Sequence, residues 1–209
     1  MRVTTLALLL FALSGTTAPA DPAPPVDNNR MTVTPGYSIA VAPGWMACDP
    51  AVNARIGGPP LPEFFSKSMC GDPPKDMTLP LVKSEPGGFG AVMVGVDPTS
   101  VAPLGSRPIK DYELQALKDK LCHLKFLSSQ NLTQCDLQVS TVAGQQAVTG
   151  VLLSPGDGGL AMKMNIAVIP RAEAGMVMFL FVHAALGTAP DKFGEDPDVD
   201  TMIASLAKQ

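Results

Sequence analysis

Four methionines fall into two spaced pairs, Met162-x-Met164 and Met176-x-Met178. In an extended strand, side chains two residues apart share a face, so each pair presents two thioethers together. Thioethers are soft ligands that suit Cu(I). Pairing of the two strands would bring four sulfurs into one neighbourhood where the faces agree. His183 is a further candidate ligand, although its parity sets it with Phe179 and Phe181 rather than with Met176 and Met178. Packing is the competing role and the preferred one. Methionine fills irregular cores, and here it alternates with Ile, Val and Leu. His183 lies between Val182 and Ala184, where a core histidine satisfied by a hydrogen bond is expected. On this reading the copper-handling protein is the alternative, and no resident cofactor is expected.

Other chemistry is thinly represented. The chain has four cysteines, Cys48, Cys70, Cys122 and Cys135. An even number in an exported chain points to disulfides. Three connectivities exist, and the sequence-local one is favoured: Cys48–Cys70 and Cys122–Cys135. A zinc site from Cys122, His123 and Cys135 would need reduced thiols and a fourth ligand. There is no Gly-x-Ser-x-Gly elbow and no Gly-rich phosphate loop ending in Gly-Lys-Ser/Thr. Ser205-x-x-Lys208 is a chance match at the chain end. No catalytic residue is assigned, and a hydrolase with an unrecognised site is the remaining alternative. Asn131-Leu132-Thr133 is a glycosylation sequon that matters only in a eukaryote.

The elements that must carry these residues begin after residues 1–20, which read as a secretory signal peptide. Arg2 is followed by an apolar stretch, Leu6–Leu13, too short to span a membrane, and by Ala18-Pro19-Ala20 at the cleavage position. Residues 21–30 form a polar, Pro-rich leader expected to be disordered. Residues 31–209 then make one domain. Its apolar fraction of 46% supports one sizeable core, and a net charge of −4 argues against nucleic acid as the main partner. No run after the signal is long enough to cross a membrane as a helix.

Within the domain, Tyr37–Val41 is a short strand closed by Pro43-Gly44-Trp45, with Trp45 as a core anchor. Residues 47–78 are a Pro/Gly-rich insertion in which few regular elements are expected. One short helix is placed at Pro62–Met69, with Phe64 and Phe65 turned inward. Leu79–Lys83 and Gly90–Asp97 read as strands. An amphipathic helix follows, with Ile109, Tyr112, Ala116, Leu117, Leu121 and Leu124 on its apolar stripe. Gln138–Val142 and Ala147–Leu153 form a hairpin around Ala143-Gly144. Leu160–Ile169 and Met176–Leu186 form a second hairpin, whose last strand is apolar on both faces and so is expected inside a sheet covered on both sides. Asp196 caps and Pro197 opens a final helix with Val199, Met202, Ile203 and Leu206 buried.

Four of these pieces, in this order, resemble the PsbP-like superfamily. They are the stretch Gly36 to Trp45, then Val142-Ala143-Gly144-Gln145-Gln146-Ala147, the paired apolar strands, and Met202-Ile203-Ala204-Ser205-Leu206. The resemblance implies an α+β fold, an antiparallel sheet flanked by helices in an αβα sandwich. It also implies a non-catalytic protein-binding or scaffold module. The expected partner is another envelope or secreted protein, the expected place the periplasm or outside the cell, and one form of such a module is an immunity or inhibitor protein. No family site residues carry over.

Overall fold

The computed structural model describes residues 29–73, 77–97, 108–123, 132–155, 158–170, 175–189 and 192–209. The signal peptide, residues 21–28 of the leader, Leu124 and the sequon's Asn131 lie outside these. The chain runs β1 (Arg30–Thr34), β2 (Tyr37–Ala40), β3 (Met46–Ala47), α1 (Pro50–Arg55), a π-helical turn (Phe65–Met69), β4 (Met77–Glu85), β5 (Gly88–Asp97), α2 (Asp111–Leu121), β6 (Gln134–Val142), β7 (Gln145–Ser154), β8 (Leu160–Pro170), β9 (Met176–Leu186), α3 (Pro197–Ala204) and β10 (Ala207–Lys208).

Seven strands form one antiparallel sheet in the order β3-β4-β5-β9-β8-β7-β6. β9 is therefore the middle strand, as its two apolar faces require. Its side chains divide cleanly. Val177, Phe179 and Phe181 belong to one core, while Met176, Leu180, Val182 and Ala184 belong to the other. The β6–β7 hairpin closes through Ala143 and Gly144, with φ of 52° and 70°. A two-residue turn with both φ values positive twists in the sense that the flanking strands need.

The expectation of an α+β sandwich is corrected by what covers this sheet. The fold is mostly β. On the Phe179 face the cover is a second sheet, β1-β2-β10, whose Met31, Val33, Tyr37 and Ile39 join the same core as Val92, Val94, Phe179 and Phe181. The Tyr37 and Phe179 rings meet edge-on at 5.5 Å. Helix enters that layer through Val199 and Met202 of α3 and Val52 of the short α1. On the other face α2 buries Ile109 just ahead of it and its own Leu117 and Leu121, while Tyr112 is exposed. Among the described residues the two longest helices, of 11 and 8 residues, cannot clad a seven-stranded sheet. Two-residue β10 was invisible as a strand because it forms only by pairing with β2.

The insertion is also more regular than its prolines suggest. Pro50 and Pro62 stand at or before helical turns, where a missing N–H costs nothing. Asp49 accepts from the Ala51 and Val52 amides and starts α1. Phe65 is buried, but Phe64 is exposed, because in this turn consecutive side chains diverge. Both local disulfides are formed, with Cα separations of 5.4 Å for Cys48–Cys70 and 5.7 Å for Cys122–Cys135. They close intervals of 22 and 13 residues, and each contributes about 3 kcal/mol by restricting the unfolded chain. They point to an oxidising, exported location. No helix among the described residues is long and apolar enough to cross a membrane.

Candidate functional site

The register of the β8–β9 hairpin decides the methionine question. Met164 stands opposite Val182, and Met178 stands opposite Val168. Met164 and Met178 are thus four residues apart along the hairpin, roughly 13 Å at about 3.3 Å per residue. Met162, Met164 and Met176 are each 3% exposed among Leu152, Ile166, Leu180 and Val182. Met178 packs at the border of that cluster. The pairs occupy opposite ends of one apolar layer and do not converge. Cys122 and Cys135 are spent in a disulfide, so no zinc site forms with His123.

His183 lies on the opposite face, in a row that crosses four strands: Lys83 on β4, Gly90 on β5, His183 on β9 and Lys163 on β8. Gly90 makes room for the Trp45 ring, whose edge would lie 3.0 Å from any Cβ at that position. Trp45 is 1% exposed. Its ring meets His183 edge-on at 6.3 Å and carries Lys83 Nζ at 5.8 Å from its centre. The start of α3 closes the site from above. Asp196 Oδ1 accepts from the amides of Asp198 and Val199 at 2.9 and 3.2 Å, capping the helix. Its other oxygen faces the imidazole.

His183 is 7% exposed and stands between two carboxylates. Nδ1 is 3.2 Å from Glu85 Oε2. Nε2 is 2.6 Å from Asp196 Oδ2, yet Nε2 has no hydrogen-bond partner. The two statements agree once direction is considered: the carboxylate oxygen is close to the nitrogen but off its N–H axis. Glu85, His183 and Asp196 place their ligand atoms within 4.8 Å of one another, a group able to hold a metal ion. Among the described residues no serine, threonine or cysteine side chain bonds to His183, so no nucleophile is assembled here.

Lys83 binds the remaining charges, 3.2 Å from Asp198 Oδ2 and 3.6 Å from Glu85 Oε1. Partial burial works against its charge. The hydrogen bond and charge of Asp198, with the charges of Glu85 and Asp196, outweigh burial and raise its pKa above 10.5. A raised folded-state value means that this contribution is complete below the unfolded lysine's pKa and is lost as pH rises through the folded one. Urea midpoints are therefore expected to fall more between pH 9 and pH 11 in the wild type than in Lys83→Met. An equal fall in both proteins would show that Lys83 carries no such linkage.

A second feature lies on the same sheet face beyond α3. A trough of about 630 Å³ runs along edge strand β6, with Lys118 of α2 among its lining. It is lined by Gln134, Asp136, Gln138, Val151, Lys163 and Phe193. It adjoins a smaller hollow beside α3 with Ser140, Thr149, Asn165 and Ile203, sharing Gly150 and Val151. Asn165, in the lining of the smaller hollow, is only 7% exposed.

Sequence reasoning singled out His183, preferred a hydrogen-bonded core histidine for it and kept ligation beside the methionines as the alternative. It read Asp196 as a helix cap without its second contact, and it gave Glu85 no role. Parity was the available signal, since His183 shares the Phe179 face with Glu85, away from the methionines.

No family model and no curated protein matches the chain. Among solved structures, a crystal structure of a protein from Bacteroides thetaiotaomicron VPI-5482 is similar at 11% identity with a TM-score of 0.41. The match covers 88% of this chain and 49% of that one, so this chain spans about half the length of that protein.

Proposed function

We propose that this is an exported, non-catalytic binding module whose partner is another envelope or secreted protein, docking along the trough beside β6. The observation that carries the reading is the trough of about 630 Å³ that runs open along edge strand β6. The trough and the hollow beside it carry amides and hydroxyls, Gln134, Gln138, Ser140 and Thr149, next to the charged Lys118, Asp136, Lys163 and Asp200. The amides and hydroxyls both donate and accept, which matches the alternating N–H and C=O of an extended peptide. The β6 edge adds a ready-made ladder, because among the described residues it pairs only with β7.

Selection from a library of extended peptides, followed by amide chemical-shift mapping on the disulfide-bonded protein, tests this. Shifts centred on Gln138, Thr149, Val151 and Asn165, weakened in Asn165→Ala, are expected. Peptides that bind elsewhere, or bind Asn165→Ala equally well, would remove the trough from consideration.

A further inference from the structure

We propose that His183 Nε2 and Asp196 Oδ2 are the protein ligands of a divalent transition-metal site of the Zn²⁺ class, with Glu85 holding the imidazole from behind. The site is separate from the trough and does not depend on it.

The buried Nε2 has no hydrogen-bond partner, and leaving such an atom bare costs about 1–3 kcal/mol. Asp196 Oδ2 nevertheless sits 2.6 Å away. Two electron-rich atoms this close need a positive charge beside them, from a proton or from a bound cation, and the off-axis approach makes a poor N–H···O bond. Two ligands of one Zn²⁺, each about 2.0–2.2 Å from the metal, stand roughly 3.0–3.4 Å apart, so taking up the ion requires the Asp196 carboxylate to draw back from the imidazole by about half an ångström.

The other nitrogen completes the argument. With the Nδ1 proton donated to Glu85 Oε2, Nε2 presents its lone pair. A carboxylate behind a ligating histidine fixes both the tautomer and the ring orientation. Asp196 Oδ1 is committed to the α3 amides, so Oδ2 is left as a single-oxygen ligand. Glu85 and Asp196 are 26% and 17% exposed at their side chains, which leaves a path for the ion and for the waters that fill its other positions. Lys83 is occupied with Asp198 and Glu85, and Lys163 Nζ is drawn to the Gly194 carbonyl at 2.6 Å.

The disulfide-bonded protein is titrated with Zn²⁺ alone by calorimetry and with Co²⁺ by visible absorption. Uptake of one ion per chain, a Zn²⁺-dependent rise in melting temperature and a Co²⁺ d–d band are expected. His183→Gln and Asp196→Asn, the latter keeping an oxygen for the cap, should abolish all three. Glu85→Gln should weaken binding about 10–100-fold, and Asp198→Asn should bind as wild type. If His183→Gln does not fold, Asp196→Asn decides. No heat and no melting shift in wild type at millimolar Zn²⁺, or unchanged binding in a folded His183→Gln or Asp196→Asn, overturns the site.

Discussion

Phe179→Ala is expected to lower unfolding free energy by about 3–5 kcal/mol, the largest effect of any single truncation considered. Phe179 is fully buried on the middle strand. It has strand neighbours on both sides, opposite Val94 on β5 and Ala167 on β8, so no edge can yield to fill the space. Its ring also meets Tyr37 edge-on. That contact ties the three-stranded sheet to the seven-stranded one and adds about 0.5–1.5 kcal/mol beyond area burial. Urea unfolding followed by circular dichroism measures the loss. A change below 1.5 kcal/mol would mean that the two layers close over the gap, and the inter-sheet core would then be softer than its burial suggests.

The second large effect comes from adding a single carbon. A Cβ on Gly150 would fall inside the van der Waals envelope of the Asp136 carbonyl oxygen and press on the Leu137 Cα. Both obstacles are backbone atoms of β6, so no rotamer change relieves them. Gly150→Ala must push β6 away from β7, and it is expected to cost about 1–3 kcal/mol as overpacking, at the upper end because the obstacle is a strand. Gly194→Ala is the matched control: nothing lies within 4 Å of its added carbon, and its effect should stay within about 0.5 kcal/mol. Hydrogen exchange separates the mechanism from a general loss of stability. Amides of β6 should exchange faster in Gly150→Ala while those of β9 keep their rank. Uniform acceleration would argue against local displacement of β6.

Local features of the sequence led to correct elements, and non-local ones did not. The β8 and β9 runs are seen within one residue of their expected ends, because alternation and the Gly175-closed loop define a hairpin without outside help. The disulfides were legible for the same reason, since each joins residues already near in the chain. The hairpin register was legible too, had the pairs been counted outward from the loop. Met164 then falls opposite Val182, and the methionine pairs separate. The fold class was not legible, because it depends on which element covers each face. The β1–β2 hairpin reads the same whether it extends the main sheet or lies across it. Only Tyr37 against Phe179 and the pairing of β2 with β10 decide. The His183 cluster failed on similar grounds. Glu85 is 98 residues away, and nothing local to either residue announces the other.

The small sheet joins the two ends of the described chain. Arg30 reaches the Ser205 carbonyl and Ala40 N–H donates to Ser205 Oγ, while Gln209 N–H donates to Gly36 and its side chain meets Thr32. Residues separated by about 170 positions must therefore meet before that layer exists. Loop-closure entropy makes such contacts late and slow to form. While they are missing, Tyr37, Ile39, Val199 and Met202 have no completed layer to bury them. The fold thus has a built-in delay, and the emerging chain stays open until its last strand arrives.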